Sequence, residues 1–130
     1  MAAWRRKAIE FLPDYRVRLN DRKYTIWQVF FDLVPEVTKA HEEFNLDRLR
    51  SIYGFGEWCL AQKADRIQQP AALGFYEHLF DSSKRLWPRV VAWLSPAAID
   101  LCWRLWEARL DLDSLKEIKK MIEQKNRRGG

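Results

Sequence analysis

The chain has 130 residues, 48% of them hydrophobic, with seven tryptophans and a formal net charge of +5. That length can bury a core without disulfides or metal, and that apolar content excludes a disordered protein. No apolar run approaches the roughly 18 residues a membrane-spanning helix needs, so no membrane span is expected.

The charge is uneven. Residues 1–24 carry seven basic and three acidic groups, and residues 116–128 carry six and two. The ninety-one residues between them carry ten and thirteen, so a mildly acidic centre lies between two basic ends. A nucleic-acid binder more often clusters its cations on one face of the fold. MAAWRRK opens like a signal peptide, but Glu10, Pro13 and Asp14 interrupt any apolar stretch, which predicts a cytoplasmic protein. Cys59 and Cys102 share no metal-ligand spacing and read as buried thiols, although spacing alone leaves a bridge between them open.

In chain order, residues 3–11 can form an amphipathic helix with Trp4, Ala8 and Phe11 or Leu12 on one side, stopped by Pro13. Residues 14–24 alternate Tyr15, Val17 and Leu19 with arginines, and with no second strand to pair they read as an extended loop. Thr25 with Gln28 has the capping-box spacing that opens a helix, with Ile26, Val29, Phe30 and Leu33 on one face. Pro35 either kinks that helix or begins another over 35–43.

Asn45 can cap a central helix over 46–62, whose apolar face is Leu49, Ile52, Tyr53, Gly56, Cys59 and Leu60. Gly54 and Gly56 inside it suit close approach by a neighbour. KADRIQQ reads as a link, and Pro70 as the start of a second arm over 70–80 that is apolar nearly all round. A helix over 83–93 follows, then Ser95–Pro96 opens one over 96–110, and Ser114 with Glu117 opens a last one over 114–126. The expected fold is all-α: an irregular, tryptophan-rich bundle of six to seven helices around a central hairpin (46–62 / 70–80), with HEAT-like hairpins as a variant. One helical domain over 1–130 is expected, divided into a basic segment 1–24, a core 25–113 and a basic helix and tail 114–130.

Little in the pattern carries chemistry. Glu77, His78 and Asp81 share one helical turn, and Glu57 lies beside Trp58, so an enzyme centred on Glu57, Glu77 and His78 is one reading. A single histidine there is too few for a zinc site, no phosphate loop or nucleophile signature occurs, and no metal or cofactor is implied. The plainer reading makes these groups hydrogen-bonded parts of the bundle, with Glu57 pairing Arg104 or Arg109. Trp87, Trp93, Trp103 and Trp106 fall within twenty residues and suit a core. Trp87, between Arg85 and Arg89, is the one expected to be partly exposed, at an interface of the kind in which Trp and Arg are enriched.

The residues YGFGEWC (53–59), GFYEHLFD (74–81) and WLSP (93–96) resemble a group of short bacterial proteins of unassigned function. The resemblance covers about residues 50–110, implies a small cytoplasmic helical protein and brings no catalytic residue. Small helical proteins of this sort resemble immunity partners of bacterial toxins. The function expected is therefore a non-catalytic module that binds another protein, including an inhibitor of a toxin, with Trp87, Arg85, Arg89, Glu57, Glu77 and His78 as candidate contacts. Nucleic-acid binding through the basic ends is the alternative, ahead of the small enzyme.

Overall fold

The computed structural model describes residues 1–129 and, among them, contains helices and no strands. Eight α-helices run in order: α1 (Ala3–Phe11), α2 (Arg16–Leu19), α3 (Ile26–Glu42), α4 (Leu46–Leu60), α5 (Asp65–Gly74), α6 (Trp87–Trp93), α7 (Pro96–Arg109) and α8 (Leu112–Gly129). Three 3₁₀ segments, Pro13–Tyr15, Tyr76–Asp81 and Lys84–Leu86, turn the chain between them. The architecture is an irregular helical bundle, as the periodicity predicts. None of these helices is long and apolar enough to cross a membrane.

Three of the predicted caps form. Thr25 Oγ1 accepts from the Gln28 amide at 3.2 Å while Gln28 Oε1 accepts from the Thr25 amide at 2.7 Å. Asn45 caps α4 and Ser95 caps α7, each side chain accepting from the amide three residues on. Four elements depart from expectation. Residues 14–24 are not extended: Tyr15 and Leu19 are one helical turn apart and both buried, while Val17, on the far side, is 85% exposed. Alternation over five residues fits a turn of helix as well as a strand, and here the buried pair decides. Pro35 lies inside α3, which runs through it, so the separate helix over 35–43, one of the two expectations, does not form.

The second arm begins at Asp65, so Pro70 lies inside α5 and the supposed link is mostly helix. That arm breaks at Phe75 (φ −129°, ψ −70°), and the Tyr76–Asp81 segment winds more tightly. Phe75 and Tyr76, on either side of the break, are both fully buried. Finally, α8 starts two residues early because Asp111, not Ser114, caps it, accepting from the Ser114 amide at 2.7 Å.

Helix α4 lies at the centre, against α1, α3 and α5. Two glycines set its approach distances. A Cβ on Gly54 would stand 2.6 Å from the Phe11 ring, and one on Gly56 would stand 2.8 Å from the Tyr76 hydroxyl. The core is aromatic: Phe30 stacks on Phe55 at 5.3 Å, and Phe80 meets Trp106 edge-on at 5.1 Å. The buried Trp106 indole N–H donates to the Tyr76 carbonyl at 2.9 Å, so its polar edge is satisfied. Ala8, Leu12, Tyr15 and Leu19, from the basic first segment, belong to the same apolar cluster as α3 to α7.

Candidate interaction surface

The α3–α4 corner carries an unusual backbone position. Helix α3 ends with the Asn45 amide donating to the Ala40 carbonyl at 2.9 Å and the Phe44 amide to the His41 carbonyl at 3.4 Å. This bond pair is the Schellman ending, whose second-last residue sits in the left-handed region and is usually glycine. Here it is Phe44, at φ +52°, the only non-glycine residue with positive φ among those described. For a bulky side chain that conformation is costly.

The Phe44 ring is 64% exposed, and Leu46 beside it is half exposed. The Arg89 guanidinium carbon lies 3.8 Å from the Phe44 ring centre. Arg89 is itself fixed by donating Nη1 to the His41 carbonyl at 2.9 Å, the same carbonyl that receives the Phe44 amide. Arg85 borders the corner, 3.7 Å from Glu42. The structure thus sets Arg89 against an aromatic residue that sequence reasoning missed, while Arg85 pairs with Glu42 at the end of α3. The available signal was HEEFN: a helix–helix junction with no glycine, and a Phe directly before the capping Asn45.

Trp87 needs correction. It is 3% exposed, with its indole N–H donating to the Ser82 carbonyl at 3.1 Å and its ring edge-on to Phe80. The arginines beside it in sequence point outward while the indole points inward. Alternation of charge and Trp in a helix sets faces, not exposure.

Glu57, Glu77 and His78 do not form one site. Glu57 faces a cavity of about 480 Å³ lined by neither Glu77 nor His78. Its carboxylate accepts from the Ser95 hydroxyl at 2.8 Å and from the Tyr76 hydroxyl at 3.3 Å, not from Arg104 or Arg109. Arg109 instead holds Asp81, at 2.9 and 2.7 Å to its two oxygens, and His78 Nδ1 lies 3.0 Å from Asp81. Desolvation pushes the Asp81 pKa upward, but its bonds to Arg109 and His78 outweigh it and leave the net shift downward. Among the described residues no group of three His, Cys, Asp or Glu side chains is placed to hold a metal ion.

One buried polar group was not anticipated. His41 is 2% exposed, its Nε2 lies 2.7 Å from the Tyr53 hydroxyl, and its Nδ1 has no partner. Burial first, and the Arg89 charge second, push its pKa down to about 4. It is therefore a neutral core histidine. Cys59 and Cys102 are both buried and free, so no bridge joins them.

A model of a family described as a domain of unknown function, DUF7674, matches residues 5–108. The chain belongs to the DUF7674 family. No curated protein and no solved structure matches it. The DUF7674 match includes the α3–α4 corner, Arg85 and Arg89, and ends before α8. The two basic ends of this DUF7674 chain differ in structure. Arg5 is spent on the carbonyls of Leu19, Asp21 and Arg22, closing the end of α2. On α8, Lys125 donates to the carbonyls of Val91 and Leu94 at the end of α6.

Proposed function

We propose that this DUF7674 chain is a non-catalytic helical module that binds another protein through the α3–α4 corner. The supporting observation is Phe44: a large apolar ring turned to solvent on a backbone conformation that disfavours any side chain, with Arg89 stacked against it. Folding gains little from such a ring, whereas an aromatic–arginine pair is a common interface anchor. The inhibitor of a bacterial toxin, acting in the cytoplasm, is the finer form of this reading and needs no catalytic group, since it blocks by shape.

The test is capture from the native host with wild-type chain and with Phe44→Gly, which removes the ring and keeps the turn. A stoichiometric partner held by the wild type and lost by the variant supports the reading. The same proteins held by both, or none by either, would overturn it.

A further inference from the structure

The cavity beside Glu57 carries a second reading, independent of the Phe44 corner. Arg50, Tyr53, Gly54 and Glu57 follow one another at i, i+3, i+4 and i+7, so they share one face of α4. Arg50 and Glu57 are therefore about 10 Å apart along the helix, seven residues at 1.5 Å each. Between them Trp93 lies parallel to Tyr53, with ring centres 5.6 Å apart and planes 11° apart. His41 holds Tyr53 from behind, its Nε2 2.7 Å from the Tyr53 hydroxyl. The half-buried indole of Trp93 lines the cavity.

The polar groups have unused capacity. Glu57 has no cation within ion-pair distance among the described residues. Of the roughly four acceptor positions of its carboxylate, the Ser95 and Tyr76 hydroxyls use two. Lys125, also lining the cavity, gives two of its three N–H groups to carbonyls and keeps one. Its acceptor Leu94 adjoins Ser95, whose hydroxyl donates to Glu57, so the ammonium and the carboxylate meet the same turn of chain. Arg50, at the other end of the wall, is exposed and among the described residues pairs only with the still more exposed Asp47. The cavity thus presents a flat aromatic wall with an acceptor and a donor together at one end and a guanidinium at the other.

We propose that this cleft binds a phosphorylated guanosine unit. The base would stack on Trp93, its N1–H and amino group donating to Glu57 and its neighbouring O6 accepting from Lys125, while the 5′-phosphate reaches Arg50. Adenine offers no adjacent N–H and carbonyl on that edge. An α-amino acid holds its two charges on one carbon, too close together for groups two helical turns apart. The site is a groove open to solvent, and its volume of about 480 Å³ leaves room for one small ligand.

The full-length chain labelled with ¹⁵N is titrated with guanosine 5′-monophosphate, adenosine 5′-monophosphate, guanosine and inorganic phosphate, following the Trp93 indole and the amides of residues 92–95. The expected result is saturable shifts with guanosine 5′-monophosphate, at least about tenfold tighter than with the adenosine nucleotide. Glu57→Gln should erase that base preference. Arg50→Ala, at an exposed position, should weaken the nucleotide to the level of guanosine and leave guanosine unchanged. A single-stranded tetranucleotide with one guanosine separates the sources: tighter binding than the mononucleotide points to RNA, equal or weaker binding to a free nucleotide. Absence of shifts at millimolar nucleotide, equal binding of both bases, or a response to inorganic phosphate alone would overturn the proposal.

Discussion

Phe44 gives the sharpest test of the corner, because two substitutions separate its backbone from its ring. Both Phe44→Ala and Phe44→Gly remove the aromatic contact with Arg89, about 0.5–1 kcal/mol at an exposed site. They differ only in what stands at φ +52°. A non-glycine residue there costs about 1–2 kcal/mol. Glycine gives back about 0.4–1 kcal/mol of that through its freer unfolded chain. Phe44→Gly should therefore be the more stable of the pair by about 1 kcal/mol, which is the reverse of the order in a helix interior, where alanine leads by about as much. Urea unfolding followed by tryptophan fluorescence resolves a difference of that size when the slopes agree. Alanine equal to or better than glycine would refute the strained ending, and with it the argument that Phe44 is held outward at a cost.

Other expectations follow from single contacts. Gly56→Ala should destabilise by about 1–2 kcal/mol in chemical unfolding, because its new methyl meets the buried Tyr76 hydroxyl and the helix-propensity gain offsets only part of the overpacking. Acid should weaken the fold through His41. The unfolded histidine takes up its proton near pH 6.5 and the folded one near 4, so stability is intact above 6.5 and falls as pH drops towards 4. About 2 kcal/mol should go between pH 6.5 and 5, and His41→Gln should flatten that dependence in unfolding curves at each pH. Cys59 and Cys102, whose pKa values burial pushes upward (Cys102 to about 12), should resist a thiol reagent at pH 8 in the native chain and react fully in denaturant.

What could be read in advance followed from local rules. The caps at Thr25, Asn45 and Ser95 depend on residues three apart, and all three form. The close approaches at Gly54 and Gly56 were legible as places for a neighbour, though not which neighbour, since Phe11 and Tyr76 come from distant parts of the chain. Prolines misled because they constrain only one turn. Pro35 and Pro70 look like boundaries locally, yet burial of Val29, Phe30, Leu33 and Val37 along α3, and of Ile67 and Ala71 along α5, outweighs the lost hydrogen bond. The break at Phe75 could not be seen, because a segment apolar nearly all round shows no change of face where the winding changes.

The surface was less legible than the core for a physical reason. Burial is periodic and leaves a pattern, whereas an exposed anchor depends on where two segments meet. Phe44 and Arg89 are forty-five positions apart, and neither is unusual alone: one is a loop aromatic, the other a helical arginine. Their meeting is made by the His41 carbonyl, which takes the Phe44 amide as the helix ends and also the Arg89 guanidinium from α6. One acceptor thus couples the strained turn to the cation that covers its ring. Arg89→Ala should consequently loosen Phe44 as well as remove a charge, whereas Arg85→Ala, which touches only the exposed Glu42, should leave the ring in place. Comparing the Phe44 side-chain signals of the two variants by NMR distinguishes a built anchor from a ring that merely happens to be outside; equal broadening in both would favour the latter.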